Sequence, residues 1–505
     1  MFQLNGGGDA EEILKLVKMA MAGDASGLSK ATFNQPGSAT VGLQPYNLEP
    51  AAKNFVPYLS PLRNSIPRVG QVGGLQANWK GIVATSAGNF PMGISEGKRG
   101  GSLSVTTAEY LAAFRTLGLE SSVTWEAYLS AQGFDDLKAR AVTTLLSQTM
   151  VEEEKIILAG NSAYSIGAPS AAPTLTASTT GGAIGTGVVV SVICIPLTYE
   201  GKKIANAVTG PAATYTRTNA DGQTDVLNGG MGLKSAAANV TTGGSGAASV
   251  AAKLVAPVRG AYGYAWYWGT VGSETFGALT DRANYTITTA TGGGTAASAF
   301  TTDTSRNTAI HDGLLAFIGN AANGSYWNPL ANGAQLTADG NGGCAEIDAA
   351  LQWFWDNQRL SPSRIIYGSS EAAALKRIVL SGPATAGGQT SNGRFTFGST
   401  QGNLTGGGIV RGYLNPFGMG TDNGAEVKLQ QHPFMPAGTL LFLTDSLPYS
   451  MNDVTNIMQV VTRMDYHQLE WPMTSRQYQY GVYSDQVLQH YFMPSMGVIT
   501  NITAG

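Results

Sequence analysis

Residues 134–160 read FDDLKARAVTTLLSQTMVEEEKIILAG, and this stretch decides how the chain is interpreted. Its apolar residues recur at the three- and four-residue spacing of a helix with one buried face. Asp135 and Asp136 place negative charge at the predicted start, where the helix dipole favours it. Gly160 followed by Asn161 predicts a left-handed stop at the other end. The pattern therefore predicts one helix of about 40 Å, at roughly 1.5 Å rise per residue.

The composition indicates a protein whose surface is largely covered by neighbours. Charged residues make up 12% of the chain, against about 25% in ordinary soluble domains. Glycine alone contributes 66 of the 505 residues, and the formal net charge is −3. This net charge gives no general attraction to nucleic acid. The length suggests roughly three domains.

The sequence contains no recognisable catalytic or metal-binding constellation. Cys194 and Cys344 lie far apart and form no disulfide framework. The glycine-rich stretch 181–187 precedes a predicted strand, which is the wrong order for a dinucleotide-binding loop. No metal-ligand spacing links the histidines, which we expect to be satisfied surface or interface residues: His311, His432, His467 and His490. We therefore expect no enzyme activity, no metal and no cofactor.

The first 62 residues predict an extended arm. The opening MFQLNGGGDAEEILKLVKMAMAG has no basic region followed by a continuous apolar run, so we expect no signal peptide, no membrane span and synthesis in the host cytoplasm. Closely spaced prolines then preclude a compact unit, whereas Phe33, Tyr46 and Phe55 favour burial. An arm lying on another surface satisfies both tendencies, and a flexible tail is the alternative.

Residues 63–120 predict a long hairpin. The strand-like LQANWKGIVAT and LSVTTAEYLAAF flank a turn-rich tip, GNFPMGISEGKRGGS. Because an isolated hairpin is only marginally stable in water, we expect this one to have a partner. The candidate contact residues at its tip are Phe90, Lys98 and Arg99.

Residues 163–305 predict an all-β sandwich. The stretch is poor in charge and rich in glycine, alanine and threonine, with strand-like runs between turns. In AYGYAWYWG the large aromatic residues alternate onto one face: Tyr262, Tyr264, Trp266 and Trp268. The favoured interpretation of this row is a sandwich core, and the alternative is an exposed platform that stacks sugars.

From about residue 306 onward the sequence predicts a mixed α+β unit. TAIHDGLLAFIGN, CAEIDAALQWFWDNQRLSP and SEAAALKRIVLSGP have the periodicity and end signals of helices. SRIIYGSS predicts a buried strand between two of these helices, and several further strand-like runs follow toward residue 505. Helices alternating with strands in this way are typical of the α+β class.

The order of arm, hairpin, long helix, α+β unit and terminal strand resembles the Hong Kong 97-type major capsid protein of tailed bacteriophages. The similarity covers roughly 1–162 and 306–505, whereas 163–305 departs from the basic pattern. Capsid proteins of this family sometimes carry inserted domains, often immunoglobulin-like ones, that project outward. The segments that carry the resemblance are VEEEKIILAGN at 151–161, LSPSRIIYGSSEAAALKRIV at 360–379, QQHPFMPAGTLLFLTDSLPYS at 430–450 and VYSDQVLQHYFMPSMGVITNI at 482–502.

The resemblance implies a Hong Kong 97-type fold of the α+β class, with a spine helix and with peripheral and axial domains. The implied segments are an N-terminal arm at 1–62, an extended-loop hairpin at 63–120, a peripheral domain with the spine helix at 121–162, an inserted immunoglobulin-like β-sandwich at 163–305, a continuation of the peripheral domain at 306–332, an axial domain at 333–442 and a C-terminal return to the peripheral domain at 443–505.

The resemblance also implies a function. The chain would be a major capsid protein that self-assembles as hexamers and pentamers into the icosahedral shell around the double-stranded DNA of a tailed bacteriophage. It would be located in the virion and contact packaged DNA only non-specifically, with no membrane contact. Scaffolding, portal and decoration proteins are further candidate partners. Some members cross-link lysine to asparagine, but the partner residues cannot be placed here, and Lys98 is not proposed as one.

Two alternatives stay open at this point. The acidic run Glu152, Glu153 and Glu154 is either a solvated helix face or a lumen-facing surface that repels packaged polyanion. The alternative function is a β-rich surface adhesin that binds glycans through the 163–305 domain. That function requires the aromatic row of AYGYAWYWG to be exposed.

Overall fold

The computed structural model describes residues 53–71, 73–85, 93–132, 135–244, 246–339, 343–381, 410–417, 426–450, 452–473 and 475–503. Phe33, Tyr46, Phe90 and most of the predicted arm therefore lie outside the described residues. Residues 57–127 and 137–505 form one compact unit, and 1–56 with 128–136 form another. The architecture below concerns the described part of the larger unit.

The chain mixes strands and helices, as the α+β class predicts. The strands are β1 (Arg68–Gly70), β2 (Gln76–Thr85), β3 (Val105–Ala113), β4 (Arg115–Thr124), β5 (Thr174–Ser178), β6 (Val189–Leu197), β7 (Thr214–Thr218), β8 (Thr224–Asn228), β9 (Ala238–Thr241), β10 (Ser249–Lys253), β11 (Gly263–Gly269), β12 (Thr275–Thr280), β13 (Asn284–Ile287), β14 (Tyr326–Pro329), β15 (Arg364–Tyr367), β16 (Gly412–Leu414), β17 (Glu426–Gln431), β18 (Leu440–Leu443), β19 (Met458–Trp471), β20 (Gln477–His490) and β21 (Gly497–Thr500). The α-helices are α1 (Pro61–Ser65), α2 (Trp125–Ala131), α3 (Leu137–Ala159), α4 (Tyr199–Ile204), α5 (Leu314–Gly319), α6 (Ala345–Trp353) and α7 (Ser369–Ser381). A π-helical turn, Phe354–Gln358, extends α6.

The predicted long helix is confirmed as α3 and ends at Ala159, next to the predicted stop, but the predicted left-handed conformation of Gly160 is wrong. Gly160 has no left-handed φ, and its N–H donates to the Ile156 carbonyl at 2.8 Å, as in a continuing helix. Glycine is required at position 160 because the His311 carbonyl lies close to it. A Cβ at this position would lie 2.4 Å from the His311 carbonyl oxygen. The segment around His311 is therefore packed directly against the last turn of the helix.

Helix α3 packs against one face of a four-stranded sheet with the order β1-β19-β20-β4. Strands β19 and β20 pair antiparallel along most of their length, and β1 joins β19 in parallel. Ile157 and Leu158 of the helix share a fully buried cluster with Val460 and Leu488 of the sheet. This helix-on-sheet layer holds the two ends of the hairpin and the start of the described chain.

A second, six-stranded sheet has the order β14-β21-β18-β15-β17-β16. All four residues of β15 are buried, which confirms the prediction of a buried strand in SRIIYGSS. Helices α6 and α7 share a buried cluster with this sheet. The last strand, β21, pairs with β14 and β18, so the sheet includes strands from both sides of the predicted boundary at residue 442.

Two sheets of the 163–305 stretch pack face to face, as the predicted sandwich requires. One has the order β13-β10-β5 and the other β12-β11-β6-β9. Val250 and Ile287 of the first sheet share a buried cluster with Val192 and Trp266 of the second. Burial between these layers accounts for Tyr264, Trp266 and Trp268, as the favoured interpretation predicts, whereas Tyr262 belongs to the cluster that contains Ile157 and Leu158.

Hydrogen bonds between side chains and backbone groups tie the sandwich to the rest of the larger unit. The Arg259 guanidinium donates to the Ile318 carbonyl at 2.9 Å and to the Ser325 carbonyl at 3.1 Å. Near the C-terminus, the Ala283 N–H donates to the Asn501 side chain at 3.0 Å. These bonds hold the sandwich against the main body from two sides.

Candidate subunit-contact surfaces

The predicted hairpin is confirmed in its described part. Strands β2 and β3 pair antiparallel from Gln76 opposite Ala113 to Thr85 opposite Val105, with a bulge between Ile82 and Ala84. Among the described strands, they pair only with each other. The hairpin thus has no third strand to support it within the described chain.

One face of the hairpin is attached to the body near its base. Trp79 stacks on Tyr110 across the strand pair at 5.7 Å between ring centroids, and its edge meets Tyr491 at 6.4 Å. Ala77 joins a small buried cluster with Val461 and Val487 of the four-stranded sheet. These contacts fix the direction in which the hairpin leaves the body.

The other face is apolar and exposed. Ile82 and Leu111 are 70% and 65% exposed, and they flank the surface pair of Lys80 and Glu109 at 3.6 Å. Exposed apolar residues continue toward the tip at Val83, Val105, Leu103 and Ile94. Several large apolar side chains exposed along one hairpin make it a candidate contact site.

The candidate contact residues within the described chain are all exposed. Lys98 and Arg99 lie exposed on the hairpin beyond the strand ends. A turn that is closed by the Lys98 N–H and the Ser95 carbonyl precedes them. Phe55 is 89% exposed. Their contacts with a second subunit remain predictions.

Near the start of the described chain, α3 anchors the short helix α1. Ser60 provides no side-chain cap for α1. Instead, Glu154 accepts hydrogen bonds from the backbone N–H of Leu62 at 2.8 Å and of Arg63 at 2.5 Å. A carboxylate in this position satisfies free donors of a helix start and complements its dipole. Glu154 thus fixes the point from which the preceding residues leave the body.

His432 is a further hydrogen-bond partner of the Glu154 carboxylate. The Phe434 N–H donates to His432 Nδ1 at 3.2 Å, which requires a lone pair on that nitrogen. The proton therefore resides on Nε2, which donates to Glu154 Oε1 at 2.5 Å. Neither side chain is exposed to solvent. The His432 ring and two backbone amides thus hold the buried Glu154 carboxylate.

Glu153 is the centre of an adjacent network. Its Oε1 accepts from Arg68 Nη1 at 2.5 Å and from Gln486 Nε2 at 2.9 Å, and its Oε2 accepts from the Tyr466 hydroxyl. Arg68 also contacts the Asp465 carboxylate at 2.7 Å. The network joins α3, the residues around β1, and both long strands of the four-stranded sheet.

Both interpretations of the acidic run are therefore wrong for two of its three members. Glu153 and Glu154 are buried and fully bonded, so they form neither a solvated face nor a lumen-facing surface. Glu152 alone reaches the surface, where it pairs with Lys155 and accepts from Gln148. The side chains of adjacent helix residues point in different directions, so α1 and β1 cover Glu153 and Glu154 but leave Glu152 at the surface. The sequence contains no local signal for partners this distant.

The prediction that the histidines are satisfied surface or interface residues is wrong for three of them, which are buried within the subunit. His311, His432 and His490 are buried. Burial lowers the pKa of His490 to about 3 and also lowers the pKa of His311. The remaining one, His467, is partly exposed on β19, where its Nδ1 lies 3.1 Å from the Asp465 carbonyl. Because histidine is amphipathic, the sequence alone does not show whether a histidine is buried or exposed.

The exposed aromatic platform that the adhesin alternative requires is absent from β11. Trp266 is fully buried, and Tyr264 and Trp268 are buried with it in the core between the two sheets. Tyr262 is buried in the main-body cluster. The adhesin interpretation is therefore wrong for this row, because the β13-β10-β5 sheet covers the face that would stack sugars.

The described residues contain no site with the ligands for a metal ion. No three or more histidine, cysteine, aspartate or glutamate side chains among them converge in such an arrangement. The described helices include none that is both long and apolar enough to span a membrane. Cys194 and Cys344 are buried free thiols, and burial raises the pKa of Cys344 to about 12.

Known proteins resemble this chain in structure but not detectably in sequence. No protein family and no curated protein matches the sequence. The capsid of the native GTA particle matches with a TM-score of 0.41 and 8% identity, over 93% of this chain and 100% of that one. The capsid of Myoviridae phage XM1 matches with a TM-score of 0.39 and 9% identity, over 90% and 94%. The holo-SrpI encapsulin complex from Synechococcus elongatus PCC 7942 gives 0.37 and 9%, over 90% and 93%.

Proposed function

We propose that this protein is a major capsid protein whose copies assemble, as hexamers and pentamers, into the icosahedral shell of a tailed bacteriophage. The shell would enclose the double-stranded DNA genome and contact it only non-specifically. The protein would then be a structural component of the virion and act through its interfaces. Scaffolding, portal and decoration proteins are further proposed partners.

The observation that supports this proposal most directly is the unsupported hairpin. Its two strands pair only with each other among the described strands, and its outer face exposes Ile82 and Leu111. Two-stranded hairpins are marginal alone in water, so a surface outside the described chain is needed to cover this one. In the family that the sequence resembles, a second copy provides that surface.

The anchor at Glu154 supports a second interface. It fixes the start of α1 against the long helix, so the preceding residues leave the body at a defined place. We propose that Phe33, Tyr46 and Phe55 contact a neighbouring subunit as part of the arm, and that Phe90, Lys98 and Arg99 do so at the hairpin tip. The 163–305 sandwich is proposed to be an immunoglobulin-like insertion within the peripheral domain.

Deleting most of residues 88–104 tests the proposal, because it removes the tip and leaves both strands largely intact. We expect the variant subunit to fold, with circular dichroism and thermal unfolding like those of the parent protein. We also expect closed particles to be lost in electron micrographs and in sedimentation. Normal shells from this variant would contradict the role of the hairpin.

A second variant tests whether the side chains of the tip, and not only its length, are needed for assembly. Replacing residues 93–100 by a glycine–serine segment of equal length keeps the connection but removes Ile94, Lys98 and Arg99. We expect the same loss of particles. A parent protein that never forms closed particles under any assembly condition would exclude the shell function itself.

A further inference from the structure

A cavity of about 530 Å³ lies between α3, β4 and the β7–β8 hairpin. Its volume falls within the roughly 300–1,000 Å³ that is typical of small-ligand sites. The proposed shell function uses neither this cavity nor the β7–β8 hairpin that closes one side of it. Apolar side chains that line the cavity include Leu117, Leu119, Ile156, Ile204, Leu227 and Ile310.

Lys203, whose side chain is exposed, brings a positive charge to this cavity. Its Nζ lies 4.8 Å from the centroid of the Tyr199 ring and 5.1 Å from that of Phe434. Within the described part of the chain, no carboxylate lies within ion-pair distance of Lys203. The neighbouring lysines differ, because Lys155 pairs with Glu152 and Lys202 with Asp281. Partial burial, followed by the charge of Lys155, lowers the pKa of Lys203 to about 8.

Tyr199 contributes apolar ring surface to the same cavity. Its hydroxyl is buried without a hydrogen-bond partner among the described residues, and it has almost no accessible surface, so a ligand in the cavity does not contact it.

The carboxylates at the cavity limit how much negative charge a ligand can bring. Glu152 is already paired with Lys155. Glu200 is mostly buried and accepts from the Asn307 side chain at 2.8 Å, and burial raises its pKa. Arg217 on β7 is paired with Asp225. Lys203 is thus the ammonium available to a ligand, which suits one negative charge rather than two.

We propose that this cavity binds a small organic monoanion with an apolar body, whose charged end pairs with Lys203. The apolar body lies against the leucine and isoleucine side chains of the wall. This site is separate from the proposed subunit contacts, and its existence does not depend on shell formation.

Octanoate is the ligand used to test this site, and octanamide is the uncharged control with the same carbon chain. The full-length protein is treated with an amine-acylating reagent near pH 8, and modification of each lysine is followed by mass spectrometry. We expect octanoate to slow the acylation of Lys203 several-fold and to leave exposed Lys253 unchanged. Octanamide is expected to protect Lys203 far less, because it brings no negative charge.

Calorimetric titration of variants assigns the roles of the residues. We expect Lys203→Gln to weaken octanoate binding by roughly tenfold, as for loss of a charge-assisted contact. The control Lys253→Gln leaves the affinity unchanged. Leu227→Trp is expected to abolish binding by filling the cavity.

Equal protection by octanoate and octanamide, or full affinity in Lys203→Gln, would overturn the assignment. Particle formation is measured on the same preparations by electron microscopy. Octanoate binding without particles would count against the shell function and not against this site. Particles without octanoate binding would count against this site alone.

Discussion

His432 donates its Nε2 proton to Glu154 Oε1 across 2.5 Å, although 278 positions separate the two residues in the chain. The same carboxylate caps α1 through the amides of Leu62 and Arg63. One buried group therefore joins the first described helix, the long helix and the turn that follows β17. A carboxylate that is buried in this way is stable only while all its donors remain in place.

Replacing Glu154 by glutamine is expected to destabilise the subunit. The amide keeps the size of the side chain but removes its charge and turns one acceptor into a donor that faces an amide. We expect the free energy of unfolding to fall by about 2–4 kcal/mol in denaturant titrations of unassembled subunits. The matched control Glu152→Gln, at the surface, should change it by less than about 0.5 kcal/mol. Equal effects of the two variants would contradict the anchor.

The buried His490 predicts loss of stability in mild acid. Its folded-state pKa of about 3 lies below the ordinary value of 6.5, so the unfolded chain binds the proton more readily. This contribution to stability is fully present above pH 6.5 and is lost as the pH falls toward 3. Between pH 6.5 and 5.2 the loss should approach about 1.4 kcal/mol per pH unit. Denaturant titrations at several pH values measure it.

The control variants for this prediction differ in burial. His490→Phe removes the titrating group from its buried site and should flatten part of the pH dependence. The same substitution tests packing at neutral pH, since the ring faces Phe317 at 6.5 Å. His467→Gln, at a partly exposed position, should leave the slope unchanged. A parent protein with constant stability from pH 6.5 to 5.2 would refute the argument.

The exposed face of the hairpin is expected to matter for assembly and not for folding. Ile82→Ser with Leu111→Ser removes apolar surface that nothing in the described chain covers. We expect the free energy of unfolding of the subunit to change by less than about 1 kcal/mol, while the yield of closed particles falls several-fold in sedimentation. Val226→Ser, on the exposed face of β8, is the control and should assemble normally.

Trp266 is expected to be essential for the sandwich. The ring is fully buried between the two sheets, and its Nε1–H donates to the Thr280 hydroxyl at 2.9 Å. Trp266→Ala should cost about 3–5 kcal/mol, measured by thermal or denaturant unfolding. Val271→Ala, in an exposed turn, should cost almost nothing. A fully stable Trp266→Ala variant would mean that the ring is not part of a packed core.

Several elements could be predicted because their signals are local. The spacing of apolar residues around Leu145 and Ile157 predicts α3, and the period of two in AYGYAWYWG predicts β11. The two strand-like runs around the glycine-rich tip predict the hairpin. In each case neighbouring residues determine the structure through backbone geometry and the burial of one face.

The anchor and the cavity could not be predicted in the same way. The partners of Glu153 and Glu154 come from α1, β1, β20 and the turn after β17, so no spacing within the helix indicates them. The role of Gly160 could not be predicted either. Glycine is needed there because the His311 carbonyl lies close, and not because the chain turns. The cavity with Lys203 exists only because β7 and β8 lie beside α3 and β4.

The sequence by itself thus determined the periodic elements, their order and the unusually low charge of the chain. Tertiary structure alone decided which charged residues are buried and which apolar residues remain exposed. The physical reason is that periodicity measures the preference of a segment for one covered face, whereas burial depends on what covers it. For Glu154 the cover is a helix start and a histidine, and for Ile82 the described chain provides none.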